Sequence, residues 1–106
     1  MIAENAQKSI EQAVCYELQN IVKVYGSVYH SPHEGYAILL EECQESIEDT
    51  RFMSNRLECV WHGVRNNDNT TLLNNLGEVK EFALALAEEA IQCAAVCEKF
   101  IESVKE

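Results

Sequence analysis

Three acids crowd the segment Glu41-Glu42-Cys43-Gln44-Glu45. Side chains three apart leave a helix on one side, so Glu42 and Glu45 can converge on one cation. Adjacent carboxylates repel unless something positive lies between them. Further along, Glu89 and Gln92 repeat that spacing beside Phe82, Ala85, Leu86, Cys93, Val96 and Phe100, and an acid and an amide on such an apolar surface need partners. In an antiparallel hairpin, facing residues share the turn as their midpoint. Glu45 with Glu89, and Glu42 with Gln92, both have their midpoint at Asn67. That position lies inside Asn66-Asn67-Asp68-Asn69, where short amides and an acid bond their own backbone and favour a turn. The two pairs are therefore expected to face each other as three carboxylates and one amide carbonyl, hard oxygen donors suited to Mg²⁺ or Mn²⁺. Taken alone, Glu41, Glu42, Glu45 and Glu48 would be an ordinary solvated helix face, and the shared midpoint is what argues otherwise.

The elements that must hold these groups are helices. One proline and four isolated glycines leave few places for strand turns, so the chain is expected to be all-α, an antiparallel helical bundle whose two long helices form a hairpin. Ile10, Val14, Leu18, Ile21 and Tyr25 recur every three or four positions, predicting helix one over about 4–26, ended by Gly26. Ser31-Pro32-His33-Glu34 reads as a capping box: Ser31 accepts from Glu34, Glu34 reaches back to Ser31, and Pro32 fills the first turn. Helix two is predicted over about 32–65, its apolar stripe being Tyr36, Leu40, Cys43, Ile47, Thr50, Leu57, Trp61 and Val64, interrupted by Ser54. Helix three, about 70–104, carries Leu72, Leu76, Val79, Ala83, Leu86, Ala90, Cys93, Cys97, Ile101 and Val104, close to a heptad seam. A helix over 32–65 is about 50 Å long, too long for a compact globule of this size. Either the helices break near Gly63 and Gly77, or another copy covers their second faces; at least a dimer is expected, as a homodimer or homotetramer.

Composition narrows the function. The 106 residues suit one domain, and 47% apolar with 25% charged residues is an ordinary globular balance. Eight basic against 18 acidic side chains give a net charge of −10, which opposes nucleic acid and anionic membrane as partners. No apolar run is long enough to span a bilayer, and the N-terminus has no basic start with an apolar core, so a cytoplasmic location is expected. The five cysteines form neither an even set nor a C-x-x-C pair, and are read as reduced, mostly buried thiols.

The residues also resemble a family. Glu-x-x-Glu on one helix with Glu-x-x-Asp on the next looks like the all-α nucleoside triphosphate pyrophosphohydrolases of the MazG type, especially a small phage- and bacterium-associated MazG-like group. The similarity lies in Ser31-Pro32-His33-Glu34-Gly35-Tyr36-Ala37 leading into Leu39-Leu40-Glu41-Glu42, and in Glu88-Glu89-Ala90-Ile91-Gln92-Cys93-Ala94-Ala95 leading into Lys99-Phe100-Ile101. Together these cover about a third of the chain. The resemblance implies Mg²⁺-dependent cleavage of a nucleoside triphosphate between the α and β phosphates, releasing monophosphate and pyrophosphate, with Glu42, Glu45 and Glu89 as metal ligands. Gln92 stands where the broader family has Asp, removing one negative charge while keeping an oxygen donor. The 43 residues between Glu45 and Glu89 also exceed the family's usual spacing.

On this reading the metal neutralises phosphate oxygens and activates a water for in-line attack. Glu41, one position off the ligand pair, is the candidate base or outer partner. Tyr36, less than two turns from Glu42, is the better placed ring to stack a base, whereas Trp61 reads as a core or subunit contact. Arg51 and Lys99 are the cations on offer to phosphate, though ordinary surface charge is the plainer reading of both. His30 and His33 read as capping and surface residues, and Cys93 and Cys97 as core. The departures at Gln92 and in the linker favour the alternative of a non-catalytic helical oligomer or interaction scaffold with a degenerate metal site.

Overall fold

A computed structural model describes residues 1–105. Its elements are three helices, α1 (Glu4–Tyr25), α2 (Pro32–Arg65) and α3 (Asn69–Lys105), with no strand among the described residues. Both long helices run unbroken through Gly63 and Gly77, close to the expected bounds, so the alternative of a break at those glycines does not occur. No helix among the described residues is long and apolar enough to cross a membrane.

The helix ends follow local chemistry. Gly26 closes α1 at φ 88°, a value that favours glycine, with its N–H donating to Val22 O at 2.9 Å. At the start of α2, the Glu34 N–H donates to Ser31 Oγ at 3.2 Å, as the capping box requires. Glu34 reaches one residue further back than expected and accepts from the His30 N–H at 3.3 Å. The α2–α3 turn is a Schellman closure: Asp68 N–H donates to Gly63 O at 2.9 Å and Asn67 N–H to Val64 O at 3.3 Å, with Asn67 left-handed at φ 52°. Asp68 then caps α3, accepting from the Thr71 N–H and hydroxyl at 3.1 and 2.7 Å, bonds that hold its carboxyl below the usual range.

The chain forms two compact units. The second, Gln44–Glu88, is the hairpin end of α2 and α3. Its register is the one the amide turn implies: Phe52 stacks on Phe82 at 5.5 Å, and Arg56 Nε meets Glu78 at 2.8 Å, each pair with its midpoint at Asn67. Gly63 lies so close to Leu72 that a Cβ added to it would sit 2.9 Å from the Leu72 backbone nitrogen. On α2 the stripe expected to be covered is not the one that packs, and on α3 the expected seam packs only in part. Along α2 the less accessible line is Ser46, Asp49, Met53, Val60 and Gly63, while Ile47, Leu57, Trp61 and Val64 are 48–60% exposed. On α3 the line Leu72, Asn75, Val79, Phe82 and Leu86 packs, and Leu76 and Ala83 of the expected seam are exposed.

The first unit, Met1–Cys43 with Glu89–Glu106, joins α1, the start of α2 and the end of α3. Its core is small: Tyr29, Ala95 and Val96 are the buried apolar residues. Gly35 is buried against the Phe100 ring, whose carbons would lie 2.9 Å from a Cβ placed there, and Phe100 in turn meets Tyr29 edge to face at 6.0 Å. Tyr36 and Leu40, expected on the covered stripe, are exposed.

Candidate functional site

Within the first unit, α2 delivers Glu42 and α3 delivers Glu89 and Gln92, all three half-buried. Carboxylate oxygens of Glu42 and Glu89 come within 4.8 Å of each other. Glu45, exposed, follows in sequence along α2 and belongs to the other unit. The Gln92 amide lies between the two half-buried acids and has two settings. With its nitrogen inward it donates to Glu42 Oε2 at 3.3 Å and Glu89 Oε2 at 3.2 Å; with its oxygen inward, three oxygens converge. The first satisfies the carboxylates without a cation, and the second is a donor set for one.

The donors are hard oxygens. Cys43 and Cys93 are adjacent in sequence to Glu42 and Gln92, with Sγ atoms 3.6 Å apart. Burial, then the hydrogen bond with Cys43, pushes the Cys93 thiol up to about 11, so it is protonated at neutral pH and a poor soft-metal ligand. Glu42, Glu89 and the Gln92 carbonyl thus offer oxygens of the type that hard divalent cations take.

Glu42 and Gln92 also line a cavity of about 620 Å³, whose wall includes Glu17, Asn20 and Ile21 from α1, Tyr25, Tyr29, His30, Glu34 and Lys99. Lys99 is the most deeply buried charged side chain among the described residues, 3% exposed, and its ammonium stands 4.1 Å from the centre of the Tyr29 ring. Tyr29 is fixed in turn by its N–H donating to Ser103 Oγ at 2.9 Å, while that hydroxyl donates to Lys99 O at 2.8 Å. Burial first, and then the charges of Glu34 and Glu42, raise the Tyr29 phenol above its ordinary pKa.

Several expected site residues lie elsewhere. Glu41 is exposed and does not line the cavity, and neither does Tyr36, which is 61% exposed. The rings on the cavity wall are Tyr25 and Tyr29. Arg51 belongs to the other unit, at a hollow with Thr50 and Ser54, whereas Lys99, read in the sequence as surface charge, lines the cavity itself. The signal for Lys99 is its spacing: Val96 and Ser103 are three and four positions away, on its own helix face. Tyr29 sits between two helices, where no periodicity marks it.

Compared with protein-family models, curated proteins and solved structures, the chain matches none.

Proposed function

We propose that the protein is a metal-dependent nucleoside triphosphate pyrophosphohydrolase, cleaving its substrate to monophosphate and pyrophosphate. The observation that carries this reading is the meeting, on one cavity wall, of hard oxygen donors at Glu42 and Gln92 with the buried ammonium of Lys99. The bound metal would supply phosphate charge neutralisation and an activated water. Glu42, Glu89 and the Gln92 carbonyl hold it, with Glu45 one turn on. Lys99 presents a point charge to phosphoryl oxygens, and Tyr29 keeps that ammonium in place. Tyr25, exposed on the cavity wall, offers a ring face to a base, whereas Tyr29 is taken up by Lys99 and Phe100 and Tyr36 does not line the cavity. Glu41, exposed next to Glu42, remains the candidate for drawing a proton from the attacking water through the solvent side.

One observation favours a second reading, a helical scaffold whose metal site has lapsed: the Gln92 amide nitrogen can itself bridge Glu42 and Glu89. The two are separated by pyrophosphate release from a panel of nucleoside and deoxynucleoside triphosphates with Mg²⁺ or Mn²⁺. The enzyme reading expects turnover in the wild type, lost in Glu42→Gln and strongly reduced in Lys99→Met. A folded wild-type protein inactive on every substrate would refute it and leave the scaffold.

A further inference from the structure

The hairpin unit, Gln44–Glu88, contains no buried apolar side chain, since Tyr29, Ala95 and Val96 all belong to the other unit. Two helices packed side by side cover one seam each, and here that seam is Ser46, Asp49, Met53, Val60 and Gly63 on α2 against Leu72, Asn75, Val79, Phe82 and Leu86 on α3. One residue on from this line, each helix carries a second heptad line. On α2 it is Ile47, Thr50, Ser54, Leu57, Trp61 and Val64, and on α3 it includes Leu73, Leu76 and Ala83. A helix turns about 100° per residue, and the two run antiparallel, so stepping one residue on from the facing line turns both toward the same side of the hairpin. The unit therefore presents one broad apolar face. Ile47, Leu57, Trp61, Val64, Leu73 and Leu76 stand 45–68% exposed on it.

We propose that this face is covered by a second copy of the chain, hairpin against hairpin, with α2 antiparallel to α2 of the second copy. Three observations select that occupant. The first is area: the six side chains expose roughly 600 Å² in all, at the upper end of what a monomer leaves open, and two such faces bury about 1,200 Å², the lower bound of a stable interface, before flanking stems are added. The second is shape. Set antiparallel about a point between Asn55 and Arg56, the α2 line is complementary to itself: Ile47 faces Val64, Thr50 faces Trp61, and Ser54 faces Leu57 of the second copy. Each polar interruption thus stands opposite a large side chain, and the surface has a hollow of about 440 Å³ there, lined by Ile47, Thr50, Arg51 and Ser54 among others. The Trp61 indole of the second copy is the knob for that hollow. The third is charge. Arg56 is paired with Glu78 within its own chain, and the same register brings Arg51 beside Glu58 of the second copy, twice by symmetry.

The test is sedimentation velocity on the full chain at micromolar concentration. The wild type is expected at no less than twice the 12.0 kDa chain mass. Trp61→Lys and Leu57→Lys remove side chains already exposed in the single chain, so circular dichroism should report unchanged helix while the dissociation constant rises by roughly tenfold or more. Arg51→Glu, on the rim where folding is not at stake, should weaken association, and adding Glu58→Arg should restore it. A monomeric wild type would overturn the proposal and leave the face to a different partner. A dimer indifferent to both lysine variants would move the contact elsewhere, and failure of the charge exchange to restore association would refute the antiparallel register.

Discussion

Replacing Gln92 with Asp tests whether the carboxylates converge, independently of any catalysis. The Gln92 amide nitrogen, turned inward, stands 3.3 Å from Glu42 Oε2 and 3.2 Å from Glu89 Oε2. Asp is one methylene shorter, so its charge would sit about 5 Å from each acid, and each like-charge pair is then worth about 3 kcal/mol at an effective dielectric of about 20. The residues are half-buried beside an open cavity, so solvent takes part of this, leaving a net destabilisation of roughly 1–3 kcal/mol. That is a drop of about 5–15 °C in melting temperature for a domain of this size. The sign with pH is set by the new acid, whose folded-state pKa is raised by its two neighbours. The folded state holds the extra proton more tightly than the unfolded chain does. Stability is therefore lost as pH rises through that raised value, and the penalty is absent below the ordinary Asp value of about 4. On the proposed function, magnesium at about 100 times its dissociation constant should return about 2.7 kcal/mol by mass action, most or all of the loss. Thermal melts followed by circular dichroism in chelator and in Mg²⁺, at acid and neutral pH, give the answer, with Gln92→Ala as the control that adds no charge. A chelator melt at neutral pH equal to that of Gln92→Ala would refute the convergence of the three side chains. A loss that Mg²⁺ fails to repair would refute the cation site.

Two further predictions rest on packing. Gly77 has nothing within 4 Å of an added Cβ, so Gly77→Ala should gain about 0.5–1 kcal/mol from helix propensity; at Gly63 the added methyl meets Leu72 backbone, and Gly63→Ala should lose about 1–2 kcal/mol net. Urea titrations with equal stabilisation in both variants would contradict the close helix approach at Gly63. Among the thiols, exposed Cys15 should alkylate first at neutral pH and Cys93 last, because burial holds its thiol up at about 11; comparable labelling rates by mass spectrometry would overturn that order.

How much of the fold the sequence discloses depends on which physical signal is read. The amide run at Asn66–Asn69 sets the hairpin register because a turn is local chemistry: Phe52 and Phe82, Arg56 and Glu78 then pair as the midpoint at Asn67 requires. The apolar stripe of α2 misleads because periodicity reports that a face is apolar and says nothing about what covers it. Ile47, Leu57, Trp61 and Val64 form the more regular line, yet α3 takes the neighbouring one through Met53, Val60 and Gly63, where small and flexible side chains allow the helices to approach. On the proposed dimer, that uncovered apolar line is the one a second copy covers.

The carboxylate pairs were legible for the same reason as the turn, since spacing and register are both arithmetic on position. The other half of the cavity was not, because Lys99 reads as one more surface cation until Tyr29, from a segment without periodicity, closes over it. That contact matters for what the cavity can accept. Glu17, Glu34 and Glu42 outnumber the single ammonium on its wall, so a bare triphosphate meets net repulsion there. On the proposed function, a divalent cation at Glu42 would cancel that excess of two negative charges, while Lys99 supplies a fixed positive point that needs no metal. On the proposed function, the two have separable consequences: withdrawing the metal should abolish turnover on every substrate, whereas Lys99→Met should leave the metal-induced rise in melting temperature intact and weaken only what depends on the phosphate.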